Sequence, residues 1–344
     1  MEHSDAILAL YRTRFAAFNR FAFGELHPSA VFHNSPYIDV LADRLEACSR
    51  GDIRRLIINI PLRSLKSHSA SVALPVWILG RRPDAKIMSI VGSRDLANDL
   101  ERDTLQLLRS PRFQAVFPHL QTSVTEHVIT TPHGGARISA ITNRTLLGRG
   151  ADMIIIDDPM TLRQAKDDAT RLKIIEWFDA EVLQRLNDRS KGVVILVMQR
   201  LHVDDLSGYL IAGHGDWEVL SLPAIAREDV VYDVQDGISW HRSKGGVLCS
   251  ARETMADLRK RLYEIGSLSF GAQYLQIPKT NREQEGFWEP WPLEVLRMRD
   301  NPPYRDEAEN REWLLEAFFD EEPVPVDNEA ALAFFAAKLA EIKS

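Results

Sequence analysis

A chain of 344 residues with 45% hydrophobic and 26% charged residues has globular proportions and room for one large or two ordinary domains, which excludes a fibrous or low-complexity protein. The formal net charge of −7 excludes a protein that coats nucleic acid through overall positive charge, but the excess is local: residues 301–344 hold four Lys/Arg and eleven Asp/Glu, and the other 300 hold 38 of each sign. Cys48 and Cys249 make neither a metal spacing nor a disulfide framework, no basic stretch followed by an apolar core opens the chain, and no apolar run approaches the ~20 residues of a bilayer span, so a cytoplasmic, membrane-free setting is expected.

Residues 1–30 read as helical, with aromatics at Tyr11, Phe15, Phe18 and Phe21, and residues 35–50 place Leu41, Leu45 and Cys48 at helical spacing. The first 50 residues are therefore expected to form a helical lead-in. An apolar strand over 54–60 follows, then a loop ending in Lys66-Ser67 and a helix to Leu79. Arg81-Arg82-Pro83-Asp84 is a turn. A strand over 86–92 leads to Ser93, a suitable N-cap for a helix ending near Arg109. Residues 127–130 and 136–141 form a hairpin around His133-Gly134-Gly135. Next come a strand over 153–157, one long amphipathic helix over 161–188, an apolar strand over 193–198, a further strand over 217–223 and a mostly helical stretch over 252–276. Strands rich in Val and Ile that alternate with helices predict an α/β fold, a mainly parallel sheet with helices on both faces. Such sheets bind ligands beyond the carboxyl ends of their strands, and Lys66, Asp157 and Gln199 each lie just past such an end.

Two segments carry the chemistry. Ile57 to Ser67 is a strand running into a loop that offers an ammonium and a hydroxyl. Met153 to Pro159 is a strand ending in two carboxylates, Asp157 and Asp158. A cation for phosphate, a hydroxyl and an acid for Mg²⁺, and a second acid for a water describe a site for nucleoside triphosphate hydrolysis. The usual loop, G-x-x-x-x-G-K-[ST], has glycines where this chain has Ile60 and Leu65; backbone amides, the Lys66 charge and the following helix start can still hold phosphate if the loop turns without positive φ at those two residues. Gln199 and Arg200 stand where a sensor of the γ-phosphate would stand. His202 and Asp205 read as helix caps or as a pair. Gly148-Arg149-Gly150 reads either as a trans-acting arginine finger or as a plain turn.

Together these residues resemble the ATPase half of the large terminase subunit of tailed phages and prophages. The match begins at Arg54 to Ser67, in the branch of the family whose first motif reads Pro-Pro-Arg-x-x-Lys-Ser. It continues through Leu147 to Pro159, Val197 to Leu206, Trp217 to Ala224 and Phe270 to Gln276. The resemblance implies an ASCE-type P-loop ATPase over residues 51–280 that uses ATP and Mg²⁺ to move double-stranded DNA. It implies nucleotide contacts from Pro61, Leu62, Arg63, Ser64, Leu65, Lys66 and Ser67, and an adenine-side segment from His33 to Tyr37. It also implies metal binding by Ser67 and Asp157, catalysis by Asp158 with Arg63, Gln199, Arg200 and Arg149, and as partners a small terminase subunit, a portal or procapsid and a homo-oligomeric ring. The chain departs from the family at Leu62, where a second proline is common, and at Asp158, where many members have Glu.

Full terminases continue into a nuclease. Residues 281–344 fall short of an ordinary domain of ~100–150 residues and are expected to be a linker and an acidic tail, with a helix over Asn328–Lys343 presenting Leu332, Phe335, Leu339 and Ile342 on one face. Nuclease activity is accordingly not expected. Two other readings stay open at this point: a related DNA translocase or helicase, and a decayed terminase that only binds DNA or portal.

Overall fold

The computed structural model describes residues 2–279, apart from 145, 147, 214, 215, 235 and 236. The expected linker and tail helix of 281–344 lie outside the described residues. The chain opens with helices α1 (Glu2–Thr13), α2 (Phe15–Leu26) and α3 (Pro36–Arg50), then β1 (Arg55–Asn59), the loop, and a helix α4 that begins at Lys66 with a π-helical turn over His68–Ala73 and continues through Leu74–Arg81. Strand β2 (Lys86–Val91), helices α5 (Arg94–Arg109) and α6 (Pro111–Val116), and strands β3 (Ser123–Thr125), β4 (Val128–Thr130), β5 (Ala136–Ile141) and β6 (Met153–Asp157) follow. The remainder is α7 (Leu162–Lys166), α8 (Asp168–Trp177), β7 (Val193–Met198), α9 (Leu206–Gly213), β8 (Glu218–Ser221), the strands β9 (Val230–Val234) and β10 (Ile238–Arg242), and α10 (Met255–Gln273).

The eight-stranded sheet has the order β3-β4-β5-β2-β6-β7-β1-β8. From β5 to β8 neighbours run parallel, and only β3 and β4 are antiparallel. The mainly parallel sheet expected from the strand composition is therefore present. Every residue of β6 and β7 is buried, as strands covered on both faces must be. Side chains alternate between two cores. Leu56, Ile58, Ile155, Ile195 and Val197 face α2, α3 and α4, whereas Ile57, Ile154, Ile156, Leu196 and Met198 face Trp177 and Phe178. The lead-in helices belong to the first of these cores: Phe15 meets Trp77 of α4 at 5.3 Å between ring centroids, and Asn19 donates to Ser69 at 2.9 Å.

Two expectations need correction. The single helix over 161–188 is broken at Asp167, whose backbone leaves the helical region (φ −95°, ψ 110°) and whose carboxylate caps α8 by accepting from Thr170 N–H at 3.0 Å. Beyond α8 the chain passes through a π-helical turn (Phe178–Val182) and a 3₁₀ turn (Leu183–Arg185). The second correction is an addition: the β9–β10 ribbon forms a separate antiparallel pair where no strand was expected.

Candidate functional site

The register of the sheet brings three strand ends level. Asn59 pairs with Met198 and Asp157 with Val197, so Ile60, Asp158 and Gln199 leave the sheet side by side. Strand β7 separates β1 from β6. Two strand spacings make that gap about 10 Å, and the long Lys66 side chain bridges it.

The loop turns sharply after the buried Pro61, leaving Leu62 and Arg63 exposed. It takes left-handed backbone at Arg63 (φ 59°) and Leu65 (φ 56°). Leu65 stands at the second glycine position of the usual motif, so the condition of a turn without positive φ is met at Ile60 and not at Leu65. A non-glycine residue in this region costs about 1–2 kcal/mol, a cost the surrounding contacts offset. Ser64 is fully buried and its Oγ has no hydrogen-bond partner. The first turn of α4 closes with Ser69 N–H donating to the Leu65 carbonyl at 2.9 Å. This aims the free amides of the helix start and the Lys66 side chain at one region, the arrangement that binds phosphate.

Asp157 ends β6 fully buried. Ser71, on the second turn of α4, donates to its Oδ2 at 2.7 Å, while Oδ1 is buried without a partner. Burial pushes the Asp157 carboxyl up from its ordinary value. The Lys66 ammonium pulls it down, Asp158 pushes it up, and the Ser71 and Ser67 hydroxyls pull it down. Asp158 leaves the strand in the left-handed region (φ 43°), its N–H held by the Val197 carbonyl at 2.9 Å. That turn directs its carboxylate to Lys66, with which it forms an ion pair; the lysine side chain is 4% exposed and the carboxylate 22%. Gly92, the first residue beyond β2, makes the turn possible: a Cβ there would lie 2.2 Å from the Asp158 carbonyl oxygen.

The remaining expected residues divide. Gln199 sits at the same edge with its Oε1 buried and unpartnered. Arg200 is turned into a local network: its Nε donates to Asp205 at 3.0 Å and its Nη2 to the carbonyls of His202 and Val203. Asp205 also accepts from the N–H groups of Leu201, His202 and Gly208, so it caps α9 and pins the segment after β7. His202 accepts from Asp204 N–H at 3.0 Å, in keeping with the capping reading. Arg149 is exposed, away from these contacts. His33 is half-buried. Its neighbour Phe32 packs on Phe23 (5.1 Å between centroids), which in turn meets His68 (5.7 Å), so the expected adenine-side segment lies against the start of α4. Ser71 and Gly92 escaped the sequence reading. The four-residue spacing from Ser67 to Ser71, which puts both hydroxyls on one helix face, was the available signal.

The donor set suits Mg²⁺. Among the described residues no group of three or more His, Cys, Asp or Glu converges on a point. Ser67 and Asp157, with an orphaned buried carboxylate oxygen, instead offer the sparse oxygen ligation of a metal that takes most of its ligands from water and phosphate. Also among the described residues, no helix is long and apolar enough to cross a membrane.

No protein-family profile matches the chain, and no curated protein does. Solved structures similar to it include the large terminase of bacteriophage HK97 (14% identity, TM-score 0.41, covering 57% of this chain and 41% of that one). A second is a mutant large terminase ATPase domain of Thermus phage P74-26 (15%, TM-score 0.49, 74% and 97%). A third is the large terminase of a thermophilic bacteriophage in complex with ADP (8%, TM-score 0.38, 67% and 52%). The chain thus spans about half the length of the two whole terminases and nearly all of the ATPase domain.

Proposed function

We propose that this chain is an ATP-hydrolysing motor subunit that drives double-stranded DNA into a phage procapsid. The observation that carries the reading is the meeting of Lys66, Asp157 and Asp158 at the carboxyl edge of the sheet, on strands that follow the motif order of the family the sequence resembles. Loop amides from Leu62 to Ser67 and the Lys66 ammonium bind the β- and γ-phosphates. Ser67 and Asp157 would hold Mg²⁺, which supplies neutralisation of the charge developing on the transferred phosphoryl group. Asp158 orients and deprotonates the attacking water once Lys66 has exchanged its carboxylate for phosphate. Arg63, exposed on the loop, and Gln199 contact the γ-phosphate region, and Arg200 ties that region to α9 through Asp205. Arg149 serves a neighbouring subunit in a homo-oligomeric ring on the portal, with a small terminase subunit and DNA as further partners.

The test is ATP turnover with and without double-stranded DNA, in the wild type and in Asp157→Ala. DNA-stimulated phosphate release in the wild type, lost in the variant, supports the motor. Stimulation by DNA but not by portal or procapsid points to a translocase outside packaging. A folded protein that releases no phosphate is a binding protein only.

A further inference from the structure

Beneath α4 a polar seam crosses an otherwise apolar core. Its end remote from the phosphate loop is Arg137 on β5, 2% exposed. Its Nη1 donates to Ser139 at 2.7 Å and its Nη2 to the backbone carbonyl of Ser71 at 3.1 Å. Among the described residues no carboxylate forms an ion pair with it. Burial lowers its pKa only to about 10, so it stays charged at neutral pH. A buried charge without an ion-paired partner costs several kcal/mol after relaxation; the Glu101 charge and these two hydrogen bonds offset part of it, while Nε is left without a partner.

The bond to Ser71 falls on a distorted turn. Leu74 N–H reaches back five residues to the Ser69 carbonyl, which makes His68–Ala73 π-helical. Pro75, four residues after Ser71, has no N–H to give the Ser71 carbonyl. Arg137 supplies a donor there. The Ser71 hydroxyl, on the same turn, then reaches Asp157 Oδ2 at 2.7 Å and leaves Oδ1 as the uncommitted oxygen. π-Helical turns of this kind concentrate at functional sites.

We propose that Arg137 and Ser71 are positioning residues for the metal-binding acid: Arg137 fixes the Ser71 backbone, and the Ser71 hydroxyl holds Asp157 in the rotamer that presents Oδ1 to Mg²⁺. This rests on the ATPase reading. Partners that orient metal ligands are worth about 10–100-fold in metal affinity or activity.

The experiment titrates Mg²⁺ against the wild type, Ser71→Ala, Ser71→Thr and Arg137→Lys, with two readouts. One is ATP turnover, separated into kcat and the Mg²⁺ concentration for half-maximal rate. The other is the thermal stabilisation that Mg²⁺ adds to ADP-bound protein, which needs no turnover. Ser71→Ala is expected to raise the half-saturating Mg²⁺ by about tenfold or more and to reduce the Mg²⁺-dependent thermal shift. Ser71→Thr keeps the hydroxyl and should restore both. Arg137→Lys, which cannot bridge Ser139 and Ser71 with one planar group, should move both readouts in the same direction by less. A purely structural seam would lower the melting temperature and leave the Mg²⁺ requirement where it was. Ser71→Ala with a wild-type Mg²⁺ response therefore removes the relay alone. A wild type with no response to ADP and Mg²⁺ removes the ATPase reading and the relay with it.

Discussion

The two edges of the parallel sheet are built differently. At the amino edge most of the charges are paired, although Arg185 Nε is buried without a partner. Arg54 donates to the Ser190 carbonyl at 2.6 Å, Arg82 to the Ser49 carbonyl at 2.9 Å, Arg50 pairs with Asp52, and Asp152 accepts from Lys86 N–H and Asn187. A cavity of about 430 Å³ opens there, lined in part by these groups. At the carboxyl edge, Ser64, Asp157 and Gln199 each keep a buried polar atom without a partner. Of the six non-glycine residues with positive φ among those described, Arg63, Leu65, Asn143, Asp158 and Gln276 lie at or against this edge, and Glu126 alone is in a hairpin turn. Strain and orphaned polar atoms are costs that a fold with no chemistry to perform has no reason to keep. Orphaned atoms also occur elsewhere, at Asn19, Ser89, Arg185 and Arg242 among others, so it is the clustering of left-handed residues that locates the site better than cavity volume does.

The largest test of that contrast is Lys66→Ala. ATP turnover should fall by about a thousandfold or more, since the lysine is the buried charge the loop brings to the phosphates and electrostatic stabilisation of this kind dominates phosphoryl transfer. Phosphate release by a variant with a wild-type circular dichroism spectrum is the measurement. Unchanged turnover would end the assignment of this residue. Asp158→Asn comes next. It should slow kcat by about 10²–10⁴-fold, the span of general acid–base catalysis, yet tighten nucleotide binding, because the ammonium no longer has to leave a carboxylate. An equilibrium titration with ADP distinguishes this from simple damage, which would weaken binding as well.

Asp157→Asn sharpens the comparison through stability. Burial raises the Asp157 pKa from 3.8 to about 6. Between those values the folded state holds a proton that the unfolded chain releases, so stability without ligand falls as pH rises through the window, and the cost is fully present above about 6. Asn carries no such cost. Roughly 1–3 kcal/mol of extra stability is expected at pH 7.5, fading towards pH 4. Melting temperatures at the two pH values check it, and a variant less stable than wild type at pH 7.5 would contradict the idea that the acid is held against its own preference.

How much of this was legible without a structure follows from what each residue has to do. Strands β1, β2, β6 and β7 announced themselves as Val/Ile runs, and register then carried Lys66, Asp157 and Gln199 to one edge, as a parallel sheet requires. Position along the chain could not reveal backbone sign. Leu65 and Asp158 carry β-carbons that normally avoid positive φ, and only packing across the sheet selects that conformation for them. Nothing in the short strand 136–141 marks Arg137, because its partner, the Ser71 carbonyl, is 66 residues away. The break at Asp167 was missed because a continuous apolar period masks a capping aspartate. Gly92 sat in plain view after a buried strand, but its role depends on the carbonyl of Asp158, which follows β6, six elements later. Gly92→Ala should therefore cost about tenfold or more in kcat by displacing Asp158, since small displacements of a catalytic group can cost 10²-fold, and it should do so with little change in overall fold.

The smallest effect is expected at the opposite edge. Arg54→Ala removes an exposed guanidinium whose bond to the Ser190 carbonyl tethers the loop before β7. Stability should change by no more than about 0.5 kcal/mol, as for most surface substitutions, and basal ATP turnover should stay at the wild-type level. The residue adjoins β1, the strand that delivers the phosphate loop, so it also tests whether that strand transmits disturbance along its length. Register argues that it does not: β1 is clamped between β7 and β8 through Leu56 to Asn59, and loss of one tether at its amino end leaves those pairings intact. A fall in basal turnover of about tenfold or more, well beyond the roughly twofold that a 0.5 kcal/mol local change allows, would mean that the two edges are coupled and that the contrast between them is one of geometry, not of function.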